Sequence, residues 1–276
     1  MSQIAYDPVK DKLAAIIRNS RWLRRLFYLL LDTFFLRSWH VRKKLRKIKQ
    51  EQTAAPRILD AGSGFGQYDH FMLKELRPEH LLAVDVKQQY LDDCAFFFEK
   101  DISKGRITLQ KQDLLEFVSP GHDIVLCVDV LEHIEEDVKV MRNMRESLRP
   151  GGYFLMHSPS AYAEEDAGED DFFVDEHARA GYSQQELRSK FRQAGLEPVD
   201  IRYTYGPYGH AAWVMMIKWP MLWLNKAGFG GIILLPFWYA IILLPSLLLH
   251  RIDLARTNVK GTGIVGLARR PASGAV

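Results

Sequence analysis

Cysteine is nearly absent: Cys94 and Cys127 are the only two in 276 residues. That excludes a disulfide framework, and their places inside a helical and a strand pattern read as reduced core positions on a reducing, cytoplasmic side. Acidic residues are scarce in the first fifty positions, three against thirteen Lys/Arg, although the whole chain carries only +3. A basic arm therefore precedes a mildly acidic body, and such an arm asks for an anionic partner, a membrane surface or nucleic acid. Charge of either sign is missing from residues 229–249, a run of 21. A secretory leader is not expected, because the N-terminal apolar run starts late and no small-residue cleavage site follows it.

The arm, residues 1–56, carries an apolar and aromatic stripe at three- and four-residue spacing: Trp22, Leu23, Leu26, Phe27, Leu30, Leu31, Phe34 and Phe35. This predicts one or two helices over residues 13–50. Arginines flank the stripe on one side, and Arg37, Arg42, Lys43, Lys44, Arg46, Lys47 and Lys49 follow it. Its apolar centre is about eleven residues long, against about 20 for a bilayer span, and it holds Asp32. An interfacial helix on anionic lipid is the expectation. The competing reading is a helix packed on the body with a solvated basic tail. No nucleic-acid motif accompanies the basic run, so a nucleic-acid partner is not expected.

From residue 57 the pattern alternates strand, helix, strand, helix, which predicts an α/β fold with a parallel sheet covered on both faces. Ile58-Leu-Asp-Ala-Gly-Ser-Gly-Phe-Gly-Gln67 reads as a buried strand running into a turn with Gly62, Gly64 and Gly66, then a helix. Glycines at every second position let bare backbone approach a ligand, and the following helix offers free N–H groups beside it. The order D-x-G-x-G-x-G differs from the dinucleotide fingerprint G-x-G-x-x-G. A second apolar run ends in Asp85 about 20 residues later, where an acid can accept hydrogen bonds from both hydroxyls of a ribose, and Val86 follows it as a surface for a base. Asp113-Leu114 closes a third short strand, and 123–128 is a fourth, leading to Asp129-Val-Leu-Glu132-His133-Ile134.

With the helix after it and Arg149-Pro-Gly-Gly152, this pattern closely resembles the class I S-adenosylmethionine (SAM) methyltransferases, among them the ubiquinone-type O-methyltransferases, over residues 57–160. The resemblance implies a seven-stranded, doubly wound Rossmann-like sheet with an antiparallel seventh strand. It implies SAM as cofactor, held by Asp60, Gly62, Gly64, Gly66, Asp85, Val86, Asp113 (on the adenine amino group), Leu114 and Asp129. Glu132 and His133 stand at the carboxyl end of a strand, where open α/β sheets place ligands. His133 is a candidate general base. The quinone-type E-x-x-E-H pattern resembles a divalent-metal site, but Asp129 replaces its first Glu, and no metal is assigned. Methyl transfer asks mainly for in-line positioning, because the sulfonium is already a strong electrophile. Beyond the fifth strand, eight acids in residues 164–176, with Phe172 and Phe173, suggest a lid. His177 and Tyr182 before the next helix are secondary catalytic candidates.

Strand seven, 263–269, is separated from strand six, 197–205, by an insert of about fifty residues that includes the uncharged run. At about 31 Å if helical, that run is long enough to cross a bilayer. Strands six and seven pair in one sheet, however, so both ends of the insert must emerge together. This predicts a monotopic or re-entrant helical hairpin, kinked at Pro236 and Pro245. The division is arm 1–56, SAM-binding core 57–206, membrane-associating insert 207–258, and final strand with tail 259–276. The expectation is a SAM-dependent methyltransferase on the cytoplasmic face of a membrane, using a lipophilic quinone-, phospholipid- or isoprenoid/sterol-like acceptor. Two other readings stand beside it: a soluble or protein substrate with the insert as a homodimer seam, and a non-catalytic membrane-tethered scaffold.

Overall fold

The computed structural model describes residues 20–163, 181–227 and 229–272. One seven-stranded sheet runs in the order β3-β2-β1-β4-β5-β7-β6. Its strands are β1 (Arg57–Ala61), β2 (His80–Asp85), β3 (Ile107–Lys111), β4 (His122–Val128), β5 (Leu148–Pro159), β6 (Glu197–Thr204) and β7 (Gly263–Arg269). The first five are mutually parallel and β7 is antiparallel to both β5 and β6. This is the doubly wound sheet that the sequence predicts. The central strands are apolar without alternation because both their faces are covered: Ile58 and Leu59 are buried side by side, as are Ile124 to Cys127.

One cover is built from α5 (Asp137–Ser147) and α6 (Gln184–Gln193), through Val140, Met141, Met144, Leu187 and Phe191. Ser183 caps α6 by accepting from Glu186 N at 3.1 Å. The other cover combines α3 (Gln67–Phe71, continued by a π-helical turn to Leu76) and α4 (Gln88–Ser103) with the N-terminal arm. That arm is two helices, α1 (Arg21–Phe34) and α2 (Leu36–Glu51), broken by one extended residue, Phe35.

The arm is thus part of the core, not an appendage. Tyr28, Val41, Leu45 and Ile48 are buried in the same cluster as β1 and β2. Its basic residues are largely paired: Arg42 with Asp32, Arg46 with Glu75, Lys44 with Asp200, and Arg21 with Glu99. What α1 leaves outside is Trp22, Leu26, Leu29 and Leu30. Periodicity predicted the helices but could not say which face meets protein. The polar residues Arg24 and Tyr28 turn inward and part of the apolar stripe turns out.

The insert forms a helical hairpin. Its outgoing arm is α7 (Pro207–Trp213), a π-helical turn over Val214–Lys218, and α8 (Trp219–Ala227). Its return is α9, Phe229–Ala255, one continuous helix containing both Pro236 and Pro245. Trp238 Nε1 donates to Met215 O at 2.9 Å, Tyr239 Oη donates to Met216 O at 2.7 Å, and Trp238 meets the rings of Trp219 and Trp223. The two ends close on each other beside the sheet: Tyr203 bridges to Asn258, and Thr262 N donates to Tyr205 O at 3.2 Å. The hairpin also leans on the arm, with Phe34 stacked on Tyr239 and Trp39 against His250. The acidic segment 164–176 and His177 lie outside the described residues.

Candidate active site

The glycine turn is tied to the neighbouring strand before any ligand is considered. The N–H groups of Gly62 and Ser63 both donate to Val84 O, at 2.8 and 2.9 Å. Gly62 has φ +91°, and a Cβ there would collide with the Val130 side chain. Gly66, at φ +75°, is also closed in, by Phe98 and Cys94. Gly64, at φ +51°, differs: nothing lies within 4 Å of where its Cβ would be. The open space is therefore in front of the middle glycine, while the outer two are closed by protein.

Asp85, at the end of β2, borders that space. Its Oδ2 accepts from Gly64 N at 2.9 Å and its Oδ1 from Lys87 N at 2.8 Å. An ionised carboxylate has about four acceptor sites, so capacity remains for two ribose hydroxyls. Val86 is exposed beside it, as a surface for a base requires. Asp113 is exposed and closes its own turn through Leu115 N at 2.9 Å, while Leu114 turns into the core.

Across the site, Asp129 adopts φ +53° after β4. One of its oxygens pairs with Arg37 and the other bonds His157 Nδ1 at 2.8 Å, and His157 Nε2 continues to Thr204 Oγ1 at 3.1 Å. Burial opposes ionisation of Asp129, but the Arg37 guanidinium and the His157 bond outweigh it and hold the carboxyl down at about 2. Glu132 goes the other way. It is buried, bonded by Ser158 Oγ at 2.9 Å, and burial together with the Asp129 charge pushes its carboxyl up to about 8. Near neutral pH it is a proton-bearing acid. His133 is exposed on the 3-10 turn Leu131–His133. Asp129, Glu132 and His133 thus share one loop but not one focus, and Arg37 occupies the electrostatic position a cation would need.

Tyr182 needs correction as a catalytic candidate. Its ring is wholly buried and its hydroxyl donates to Asp137 Oδ2 at 2.7 Å, so it ties α5 to the segment before α6. Sequence reasoning missed Arg37 and His157. Arg37 looks like any member of the basic run. Only the break at Phe35 brings it to Asp129, with its Nε enclosed and unpartnered. His157 had a signal, because it ends a parallel strand on the ligand side of the sheet. Arg24 was likewise unforeseen: with Tyr28 Oη, it donates to the Phe65 carbonyl inside the glycine turn.

A family profile described as a methyltransferase domain matches residues 59–154. The matched stretch is a SAM-dependent methyltransferase domain. It is 26% identical over 166 residues to a ubiquinone biosynthesis O-methyltransferase of Pseudomonas syringae pv. tomato, covering 56% of this chain and 70% of that protein. Identity to phosphoethanolamine N-methyltransferase 1 of Triticum aestivum is 24% over 57% of this chain, but the match spans only 28% of the wheat protein. Among solved structures, phosphoethanolamine N-methyltransferase 2 of Haemonchus contortus in complex with SAM superposes with TM-score 0.57 at 16% identity, over 94% of this chain and 60% of that one. The cyclase SpnF shares the fold as well, with TM-score 0.56 at 16% identity, over 83% of this chain and 82% of its own. SAM is the family's cofactor, and the residues present fit it. Gly64 offers the open cradle, Asp85 the ribose acceptors, Val86 an apolar surface for the adenine, and Arg37 a guanidinium with unspent donors for a carboxylate. When bound, SAM supplies an electrophilic methyl group, and the chain's own groups bind and orient it.

Proposed function

We propose that this methyltransferase docks on a membrane face and methylates a lipophilic acceptor there. One observation carries the reading. α9 presents an exposed apolar face and meets α1 through Phe34 on Tyr239, and α1 in turn holds the cofactor turn through Arg24 and Tyr28 on the Phe65 carbonyl. Phe237, Ile241 and Leu244 are each about 70% exposed or more, as are Ile233 and the neighbouring Leu234 to a similar degree. Trp22 and Leu29 on α1 are exposed as well. Helix Ile233–Ala255 has mean hydropathy 2.0. Soluble monomers rarely expose apolar patches beyond a few hundred Å².

Both ends of the hairpin return to β6 and β7, which favours insertion into one leaflet over a single crossing. Lys43 and Lys47 on α2, Arg251 in the last turns of α9, and Arg256 and Lys260 just after it are exposed, suited to anionic head groups. The two unbridged, buried cysteines and the basic arm are compatible with a cytoplasmic face, which is part of the proposal. The acceptors in the relatives' names, phosphoethanolamine and the ubiquinone pathway, differ from each other, so the class proposed is lipophilic acceptors: a quinone, a phospholipid or an isoprenoid/sterol-like lipid. At the Asp129 end, the site offers His157 and the neutral Glu132 as groups able to hold or exchange a proton beside a nucleophile.

The test is incubation of the full-length protein with methyl-labelled SAM and native membranes, followed by mass spectrometry of the lipid extract. A labelled lipid is expected. Label confined to soluble small molecules or protein, or a detergent-free soluble dimer on fractionation, would overturn the proposal.

A further inference from the structure

The break between α1 and α2 has no local cause. Residues 33–36, Thr-Phe-Phe-Leu, hold neither glycine nor proline, the usual causes of a sharp bend. Nor does α2 begin with a side-chain cap of its own, since Phe35 at its N-cap makes no such bond. Tyr205 supplies one from 168 positions along the chain, its hydroxyl accepting from Arg37 N at 3.2 Å. That N–H is one of the first-turn donors a helix leaves unsatisfied. Capped from outside, the helix start brings the Arg37 guanidinium to Asp129 and lays it over the Phe35 ring, 4.8 Å from its centre. Asp129 precedes Val130, whose side chain closes on Gly62. On the other side of Arg37, Ser38 Oγ accepts from Gln67 Nε2 at 2.8 Å, at the head of α3. Arg37 therefore stands between the two loops that border the cofactor cradle.

The residue before Tyr205 grips the other member of that ion pair. Thr204 Oγ1 bonds His157 Nε2 at 3.1 Å, and His157 Nδ1 bonds Asp129 Oδ1 at 2.8 Å. Two successive residues at the end of β6 thus hold the backbone of the cation and the side chain of the anion. Tyr205 does so at φ +53°. For a bulky residue that is a costly left-handed conformation, which persists only where the surroundings fix it. Here the fixing comes from the closure of the insert. Thr262 N donates to Tyr205 O at 3.2 Å. A Cβ on Gly261 would run into Thr204 O, and one on Gly263 into Thr204 Oγ1. The insert also touches both flanks of the break: Phe34 stacks on Tyr239, and a Cβ on Gly209 of α7 would run into Leu36.

We propose that Tyr205 is a positioning residue for the cofactor. From the root of the insert, its hydroxyl and the neighbouring Thr204 aim Arg37 and Asp129 so that the guanidinium meets the carboxylate of the cofactor's amino-acid group. Tyr205 acts through Arg37, so the proposal rests on the carboxylate role given to Arg37 above. It gives the insert a part in cofactor binding that is separate from its exposed apolar face. It also predicts a selective effect. Ligands that carry the amino-acid carboxylate depend on Tyr205, whereas the adenosine part, held at Gly64 and Asp85, does not.

The experiment is isothermal titration calorimetry of the full-length, detergent-solubilised protein with two ligands. S-adenosylhomocysteine, the product of methyl transfer, keeps the amino-acid group. Methylthioadenosine has the same adenosine and thioether but no amino-acid group. Tyr205→Phe keeps the ring and removes the hydroxyl. It should weaken S-adenosylhomocysteine by at least about threefold, the scale of one hydrogen bond, and leave methylthioadenosine within about 1.5-fold. A smaller loss for S-adenosylhomocysteine, or a larger change for methylthioadenosine, overturns the proposal. The second of these is what a merely structural role would produce. If Tyr205→Phe fails to fold, Thr204→Val, which removes the bond to His157, is read with the same two ligands and the same limits. Arg37→Ala separates the proposal from the reading beneath it. If Arg37→Ala keeps its S-adenosylhomocysteine affinity, the carboxylate role of Arg37 falls and the proposal falls with it. If Arg37→Ala loses affinity while Tyr205→Phe keeps it, the proposal alone falls.

Discussion

Asp85 holds two backbone N–H groups on separate oxygens, and those bonds join the glycine turn to the segment after β2. Asp85→Ala leaves both donors without their partner and removes the ribose acceptors. We expect at least about a tenfold loss of S-adenosylhomocysteine affinity by calorimetry, equivalent to about 1.4 kcal/mol, and unchanged affinity would refute the ribose role. Glu132 makes a different prediction. Its folded-state carboxyl titrates near 8 against an ordinary 4.5. The folded state therefore binds more protons between those values. The stabilisation from this group is fully present below the lower value and is lost as pH rises through the upper one. Its slope is at most about 1.4 kcal/mol per pH unit. Glu132→Gln keeps a neutral partner for Ser158 and should flatten the fall in urea stability between pH 5.5 and 8. A slope as steep as the native protein's would mean that Glu132 is ionised in the fold. Asp129 has the opposite sign, contributing stability above its ordinary value that is lost as pH falls toward 2.

The helix α2 shows how an element can satisfy two sequence readings at once. One side of it is strongly basic, yet Val41, Leu45 and Ile48 are buried against the sheet's cover. Leu45→Ala should cost about 2–5 kcal/mol, because it opens a cavity in a close-packed layer. Chemical denaturation measures it, and a loss under about 0.5 kcal/mol, the scale of a surface substitution, would place the arm outside the folded unit. In α1, Tyr28 Oη donates to Phe65 O beside Arg24. The legible part of the arm was its helical period. Its inward face was not legible, because an Arg and a Tyr carry the contacts and the apolar residues that usually mark a buried face lie partly outside. The hairpin was more readable. The pairing of β6 with β7 requires its ends to meet, and they do.

For the whole molecule, the proposed membrane docking rests on the exposed surface of α9. Replacing Phe237, Ile241 and Leu244 together by Ser should move the protein from the membrane pellet to the soluble fraction. S-adenosylhomocysteine affinity should stay within about twofold, since the three side chains are exposed on α9, which contributes no residue to the cofactor cradle. Retention of the triple variant in carbonate-washed membranes would show that the hairpin is not the anchor. The site was legible only in part: the glycine turn, Asp85 and the Asp129–Glu132 loop were marked by spacing along the chain, whereas Arg37 was not.

The sequence by itself determined the strand–glycine turn–helix unit, the order of the acids at strand ends, and the closed-ended insert. These are local properties, set by backbone freedom at glycine and by the period of apolar residues along each strand or helix. Tertiary structure decided which charges find partners. Arg37 meets Asp129 across 92 positions of chain, and Tyr182 disappears into the core. Such meetings depend on which faces are buried together, and burial is what turns an ordinary carboxyl into a neutral acid or an ion-pair partner.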